Sequence, residues 1–188
     1  MISRSTRLLY FFLSVITMSV NAQKVNPFNI EAGFGEFTLG ADKSSFGNRI
    51  RFADSLTFNG VKDYFYVHSF DTAYKIAGIK FLDVLLTFDE SNKLKQIELA
   101  RVYTKNLFAE HKRRAIKDQE ALIKYLTDQA GIKGKHKKRF GTLDASGYEW
   151  AKANVLTWAY LQTTEATKQK EDEFYSIHLV WGYKQNVE

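Results

Sequence analysis

The stretch that decides the fold is KFLDVLLTFDESNKLKQIELARVY, residues 80–103. Residues 81–88 alternate between an apolar side and a mixed side that carries Asp83 and Thr87, as expected for a strand with one face in a core. The segment DESNK at 89–93 has the composition of a turn, and alternation resumes after it. The pattern predicts an antiparallel hairpin. Its apolar side is formed by Leu82, Val84, Leu86 and Phe88.

Two shorter segments extend this pattern towards the N-terminus. DYFYVHSF, residues 63–70, is rich in aromatic residues and predicts another strand. GADKSSFGNRI, residues 40–50, offers Asp42 or Ser44 as a helix cap and has two apolar residues four positions apart. It predicts a short helix, although Gly47 lies inside it.

The second half of the chain has its own helix signal followed by strand signals. KDQEALIKYLTDQAG, residues 117–131, has Asp118 as a candidate cap, an apolar stripe, and Gly131 where a left-handed residue ends a helix. Three strands are predicted after it: GYEWAKAN, VLTWAYLQ and EFYSIHLVWGYK. In the last of these, Tyr175, Ile177, Leu179, Trp181 and Tyr183 share one side, and Ser176, His178 and Val180 share the other.

Each half, about 36–104 and 105–188, therefore contains one helix followed by three strands. Two such units can align into one antiparallel sheet with the helices on a single face. The sequence predicts an α+β fold of this kind, in which the opposite sheet face is left to be covered or used.

The order of elements resembles the inhibitor-like repeats of the β-lactamase-inhibitor protein and of the small outer-membrane assembly lipoproteins. The residues that carry the likeness are FTLGADKSSFGNRI, and within them the short segment LGADKSSFG. The resemblance implies a binding module that presents a concave sheet to another protein. It does not imply a membrane anchor, because this chain lacks the lipidated cysteine of the lipoproteins, and no functional residue is carried over.

The first residues predict export. MISRSTRLLYFFLSVITMSVNAQ has a basic start, an apolar run over residues 8–20, and small residues before Gln23. The apolar run is too short to span a bilayer, which takes about 20 apolar residues. We therefore expect a signal peptide at 1–22, no transmembrane segment, and a single secreted domain at 23–188 that works in the periplasm or outside the cell.

Catalytic and cofactor signatures are missing from the sequence. The chain contains no cysteine, which removes disulfides, thiol nucleophiles and cysteine metal ligands. Nucleophile-elbow, phosphate-loop and H-E-x-x-H motifs are also absent. His111 and His136 lie among cations and are expected to be solvated. His68 and His178 lie on predicted strands and can meet across the sheet, where Asp71 or Asp83 would complete a metal site. We expect no metal and no cofactor, and an enzyme is unsupported rather than excluded.

Positive charge is concentrated in one segment. Residues 105–139 contain 11 Lys or Arg and four acidic residues, whereas the whole chain of 188 residues carries +6. Such a field attracts lipid headgroups, acidic cell-wall polymers or an acidic protein; nucleic acid is not expected because aromatic residues are not interleaved with the cations. The alternative is that HKRR and KGKHKKR are solvated loops flanking the helix. The candidate contact residues are Lys112, Arg113, Arg114, Lys135, Lys137, Lys138 and Arg139.

The tryptophans add a second candidate surface. All three lie in the second half, and such residues either fill a core or anchor a binding surface. Trp158 and Trp181 are the candidate binding residues. The sequence thus favours an exported, non-enzymatic binding module of the bacterial cell envelope whose partner is a protein or an acidic envelope component. The alternative is an envelope hydrolase or a small-ligand-binding protein whose site cannot be identified from the sequence.

Overall fold

The structure is a computed structural model that describes residues 29–54, 62–67, 74–140, 143–164 and 174–184. Its elements in chain order are β1 (Gly33–Phe34), β2 (Phe37–Thr38), the 3-10 helix η1 (Lys43–Arg49), β3 (Ile50–Asp54), β4 (Lys62–Tyr66), β5 (Tyr74–Ile76), β6 (Ile79–Phe81), β7 (Asp83–Phe88), β8 (Leu94–Tyr103), the α-helix α1 (His111–Ala130), β9 (Lys135–Phe140), β10 (Leu143–Lys152), β11 (Val155–Thr164) and β12 (Phe174–Tyr183).

An eight-stranded antiparallel sheet dominates the fold. Its strand order is β3-β4-β7-β8-β12-β11-β10-β9, and β1 with β2 and β5 with β6 form two separate two-stranded sheets. The two halves of the chain each contribute four neighbouring strands, and they meet where β8 pairs with β12. Strands β3 and β9 are therefore the two edges of the large sheet.

The hairpin expected at 80–103 is confirmed as β7 and β8, with Leu86 opposite Ile97. The turn between them is held by Asp89, whose Oδ1 accepts a hydrogen bond from the Lys93 backbone N–H at 2.9 Å. The three strands predicted after the helix are also present as β10, β11 and β12, and β4 overlaps the segment predicted at 63–70. Of that segment, residues 68–70 lie outside the described residues.

The predicted α+β fold with two helix-strand-strand-strand units is wrong. The fold is mostly β, and each half supplies four strands to the large sheet. The expected first helix is only the 3-10 helix η1, which is interrupted because Gly47 has φ +54° and ψ −129°, outside the helical region. The unexpected strand β9 has the sequence KHKKRF, which lacks apolar alternation because it lies at an edge and exposes most of its side chains.

Helix α1 is longer than the sequence predicts. It begins at His111 with Glu110, not Asp118, in the capping position. The extra turns pack because His111 and Ala115 are buried and precede the buried residues of the predicted stripe. Its end at Gly131 is confirmed, since that residue has φ +67° and its N–H donates to Thr127 O. The segment HKRR is thus the first turn of a helix and not a solvated loop.

The main core lies on the side of the sheet that α1 covers, where the helix packs mainly on β11 and β12. Near the β3 edge, the same side of the sheet is covered by the segment that contains β2 and η1. This segment contributes Phe37 and Phe46, and Phe46 packs edge-on against Phe88 with 5.8 Å between ring centroids. Leu82 was predicted on the apolar side but is exposed, because the extended run breaks between β6 and β7. No helix among the described residues has both the length and the apolar character needed to cross a membrane.

Candidate functional site

The candidate site lies on the sheet face opposite α1, which we call the open face. Alternation along β12 places Ser176, His178 and Val180 on it, as the sequence predicts. The register continues a row of side chains across the sheet, because neighbouring strands align residue against residue. One such row consists of Asp83, Ala100, His178, Tyr160 and Gly147.

A chain of three polar side chains occupies the centre of the open face. His178 Nδ1 lies 2.6 Å from Glu98 Oε1, and His178 Nε2 lies 2.8 Å from Ser176 Oγ. Ser176 and His178 are two residues apart on β12, so they emerge on the same side, while Glu98 comes from the adjacent strand β8. The side chains of His178 and Glu98 are only 15% and 21% exposed, and Ser176 as a whole is 5% exposed. Both imidazole nitrogens are therefore engaged within the protein.

Tyr160 stacks on this chain. Its ring lies nearly parallel to that of His178, with 4.8 Å between centroids and 6° between planes, and it stacks on Phe140 at 4.9 Å. Burial, and secondarily the nearby charge of Glu98, raises the pKa of the Tyr160 hydroxyl above its ordinary value. The tyrosine is consequently neutral at physiological pH, and its buried, uncharged ring supports the His178 imidazole.

A second polar cluster lies beside the first, towards the β9 edge. Glu149 Oε2 accepts hydrogen bonds from Lys137 Nζ at 2.7 Å and from Trp158 Nε1 at 2.8 Å. The Trp158 ring packs against a small buried cluster of its own, formed by Phe140, Ala145, Tyr160 and Val180. Packing and hydrogen bonds together hold these side chains in fixed positions, so the open face is preorganised.

The order serine, histidine and carboxylate is also that of a nucleophilic catalytic triad. Acyl transfer further requires an accessible hydroxyl and hydrogen-bond donors for the developing oxyanion. Ser176 is almost entirely buried. Strand β12 is paired on both sides, with β8 and β11, so the backbone N–H groups next to Ser176 are used in the sheet. The arrangement therefore suits a rigid surface better than a reaction centre.

A groove of 540 Å³ opens on the same face next to this network. It forms where the pairing of β4 with β7 stops at Phe65 opposite Leu85, although β4 continues. Phe65, Val67 and Leu82 line it and are 45%, 52% and 44% exposed. Arg51 and Asp83 also line it, one charge of each sign. Asp83 is two strands from His178, about 10 Å at the usual strand spacing, so groove and network form one continuous region.

Metal binding finds no support in the described residues, where no three His, Asp or Glu side chains are grouped as ligands. His68 and Asp71, which were considered as partners of His178, lie outside the described residues. Asp83 does not contact His178, which bonds Glu98 and Ser176 instead. His111 was expected to be solvated but is buried against Tyr175, with 5.4 Å between ring centroids.

The predicted basic residues divide into two separate groups. Lys112, Arg113 and Arg114 are exposed in the first turn of α1, where Arg113 pairs with Glu110 and Arg114 pairs with Asp118 at 3.5 Å. The remaining four, Lys135, Lys137, Lys138 and Arg139, lie on the edge strand β9. Because a helix rises 1.5 Å per residue, the first group is about 25 Å from the end of α1 that leads into β9. KGKHKKR is thus mainly a strand and not a loop.

The two candidate tryptophans also separate. Trp181 is fully buried in the main core, so its side chain offers no surface to a partner. Trp158 lies on the open face with its indole N–H on Glu149. Sequence reasoning missed Glu98, Ser176 and Tyr160; the spacing of Ser176 and His178 by two residues was visible in the sequence, but the pairing of β8 with β12 was not.

No known protein family, curated protein or solved structure matches this chain. The resemblance to the inhibitor-like repeats therefore stays a prediction, and the order of elements that suggested it differs from the order in the structure.

Proposed function

We propose that this protein is an exported, non-enzymatic binding protein of the bacterial cell envelope that holds a protein partner in the groove of the open face. One observation carries the proposal: Phe65, Val67 and Leu82, three of the large apolar side chains exposed among the described residues, surround a single groove. Clustered exposed apolar side chains are characteristic of interaction sites, whereas scattered ones are normal for any surface.

The charges at the groove define the chemistry of the partner. Arg51 and Asp83 flank the apolar side chains, so the groove best fits an apolar segment that carries an acidic group on one side and a basic group on the other. Such charge complementarity sets the orientation of a partner and raises its association rate. The adjacent hydrogen-bonded network of Glu98, His178 and Ser176 fixes side chains beside the groove, and a preorganised site lowers the entropy lost on binding.

Photo-crosslinking in a host that exports the protein tests this proposal. A photoreactive phenylalanine analogue replaces Phe65 in one variant and the equally apolar, exposed Leu107 in a matched control. We expect one adduct of defined mass at position 65, absent at position 107 and lost when Val67 and Leu82 are both changed to Asp. Identical adducts at both positions, or none at position 65, would contradict the proposal.

Export is tested independently by the mass of the protein recovered outside the cytoplasm. Cleavage after Ala22 leaves Gln23 as the first residue. Recovery of uncleaved chain in the membrane fraction would reverse the proposed location.

A second function, an envelope hydrolase, is favoured by the hydrogen-bonded order of Ser176, His178 and Glu98. A fluorophosphonate probe distinguishes the two, because it labels a serine only when a neighbouring base activates it. Labelling of the wild type that disappears in Ser176→Ala, with an unchanged melting temperature, would favour the hydrolase over the binding protein.

A further inference from the structure

Strand β9 has a neighbouring strand on only one of its two backbone sides among the described residues. It ends the eight-stranded sheet and pairs with β10 alone, from Lys135 opposite Glu149 to Phe140 opposite Leu143. In a strand, backbone N–H and C=O groups point alternately to the two sides. Among the described residues, no backbone or side-chain group bonds the outer side of β9. Such an edge is a ready template for another strand.

The positive charge along this edge is largely uncommitted. Lys137 is half-buried and paired with Glu149, and His136 lies edge-on against Tyr148. Lys135, Lys138 and Arg139 are exposed, and no ion pair joins any of them to a side chain that the structure describes. In the strand register, Arg139 lies opposite Asp144. Three exposed cations therefore lie along a six-residue strand whose outer backbone side has no partner within the described part of the chain.

This combination selects the kind of strand that can be added. A second copy of β9 would place like charges opposite each other, which destabilises cross-strand pairing. An acidic strand would gain main-chain hydrogen bonds together with charge contacts, to Lys135 and Arg139 on one face of the sheet or to Lys138 on the other. A lipid surface, by contrast, uses the cations but not the unpaired backbone.

We infer that β9 binds an acidic polypeptide segment in extended conformation by adding it to the sheet as a ninth strand. This extends the proposed binding function to a second surface, at the opposite edge of the sheet from β3 and the groove. It does not depend on the groove, and the variants that test it leave Phe65, Val67 and Leu82 intact.

The test uses the full chain and two synthetic peptides with the same charge. The first is an end-blocked octapeptide of alternating glutamate and valine carrying a fluorophore; the second has the same sequence with every backbone N–H methylated, which blocks strand pairing. Binding is followed by fluorescence anisotropy at low and high salt. Protection of the β9 amides is followed by hydrogen exchange.

Two triple variants remove the same charge from different places. K135Q/K138Q/R139Q alters the edge strand, and K112Q/R113Q/R114Q alters the first turn of α1. We expect the edge variant to bind the first peptide at least tenfold more weakly than the wild type does, and the helix variant to change by less than twofold. The wild type should bind the methylated peptide at least tenfold more weakly than the first peptide. Hydrogen exchange in β9 should become slower when the first peptide binds.

Three results would overturn the inference. Equal affinity for the two peptides would show that charge alone acts, without strand addition. Equal losses in the two triple variants would show a general charge effect. Absence of peptide binding would show that the edge does not recognise an extended acidic chain. The same conclusion would hold if the protein failed to bind the peptide but sedimented with vesicles of phosphatidylglycerol and phosphatidylcholine.

Discussion

The His178 imidazole lies 2.6 Å from the Glu98 carboxylate, and this contact crosses the line at which the two halves of the sheet meet. The residues are 80 positions apart in the chain. His178 is held on its other nitrogen by Ser176, so the bond to Glu98 orients the ring on which Tyr160 stacks. The His178–Glu98 contact thus both joins the two halves of the sheet, at the β8–β12 pair, and orders the centre of the open face.

Replacing Glu98 with Ala should therefore destabilise the protein. The variant leaves a largely buried imidazole nitrogen without its partner, at a cost of about 1–3 kcal/mol. Urea unfolding of wild type and variant measures the difference. Glu98→Gln is the control, because its amide oxygen still accepts a hydrogen bond and should cost less. A Glu98→Ala variant as stable as the wild type would mean that the contact contributes nothing to the fold.

Tyr160→Phe should flatten the loss of stability at alkaline pH. Burial raises the pKa of Tyr160 in the folded protein, so its neutral form contributes stability that is complete below the unfolded pKa, about 10, and is lost as pH rises above it. Phe keeps the ring but cannot ionise. The free energy of unfolding should decrease less between pH 8 and pH 10.5 for the variant than for the wild type. A parallel fall in both proteins would disprove this role.

Gly147→Ala should be destabilising because the strands approach closely at this position. A Cβ at Gly147 would lie 2.2 Å from Ala159 O and 2.6 Å from Tyr160 Cα, and both are backbone atoms that cannot rotate away. Overpacking of this kind costs about 1–3 kcal/mol. Ala151→Ser, at an exposed site on the same strand, should change stability by no more than about 0.5 kcal/mol. Similar midpoints of thermal unfolding for the two variants would contradict the expected clash.

Chelation should leave the melting temperature unchanged. The chain has no cysteine, and His178 uses both ring nitrogens within the protein. Differential scanning fluorimetry with and without a chelator checks this. A substantial drop that one specific ion restores would reveal a structural metal.

Local patterns in the sequence determined the elements that have one buried and one exposed side. The alternation at 81–88, the turn residues after it, and Gly131 at the end of α1 all act between near neighbours, so each can be recognised without the rest of the chain. The two sides of β12 were likewise visible, because consecutive side chains of a strand point in opposite directions. The absence of cysteine excluded disulfides directly.

Tertiary structure decided the properties that depend on pairing between distant strands. KHKKRF is a strand only because β10 pairs with it. Its charges then lie on an edge, where like charges discourage pairing with a second copy of the same strand. Trp158 and Trp181 have the same side chain, but the first lies on the open face and the second is fully buried in the core. Glu98 reaches His178 because β8 lies beside β12, and no local pattern specifies which strands become neighbours.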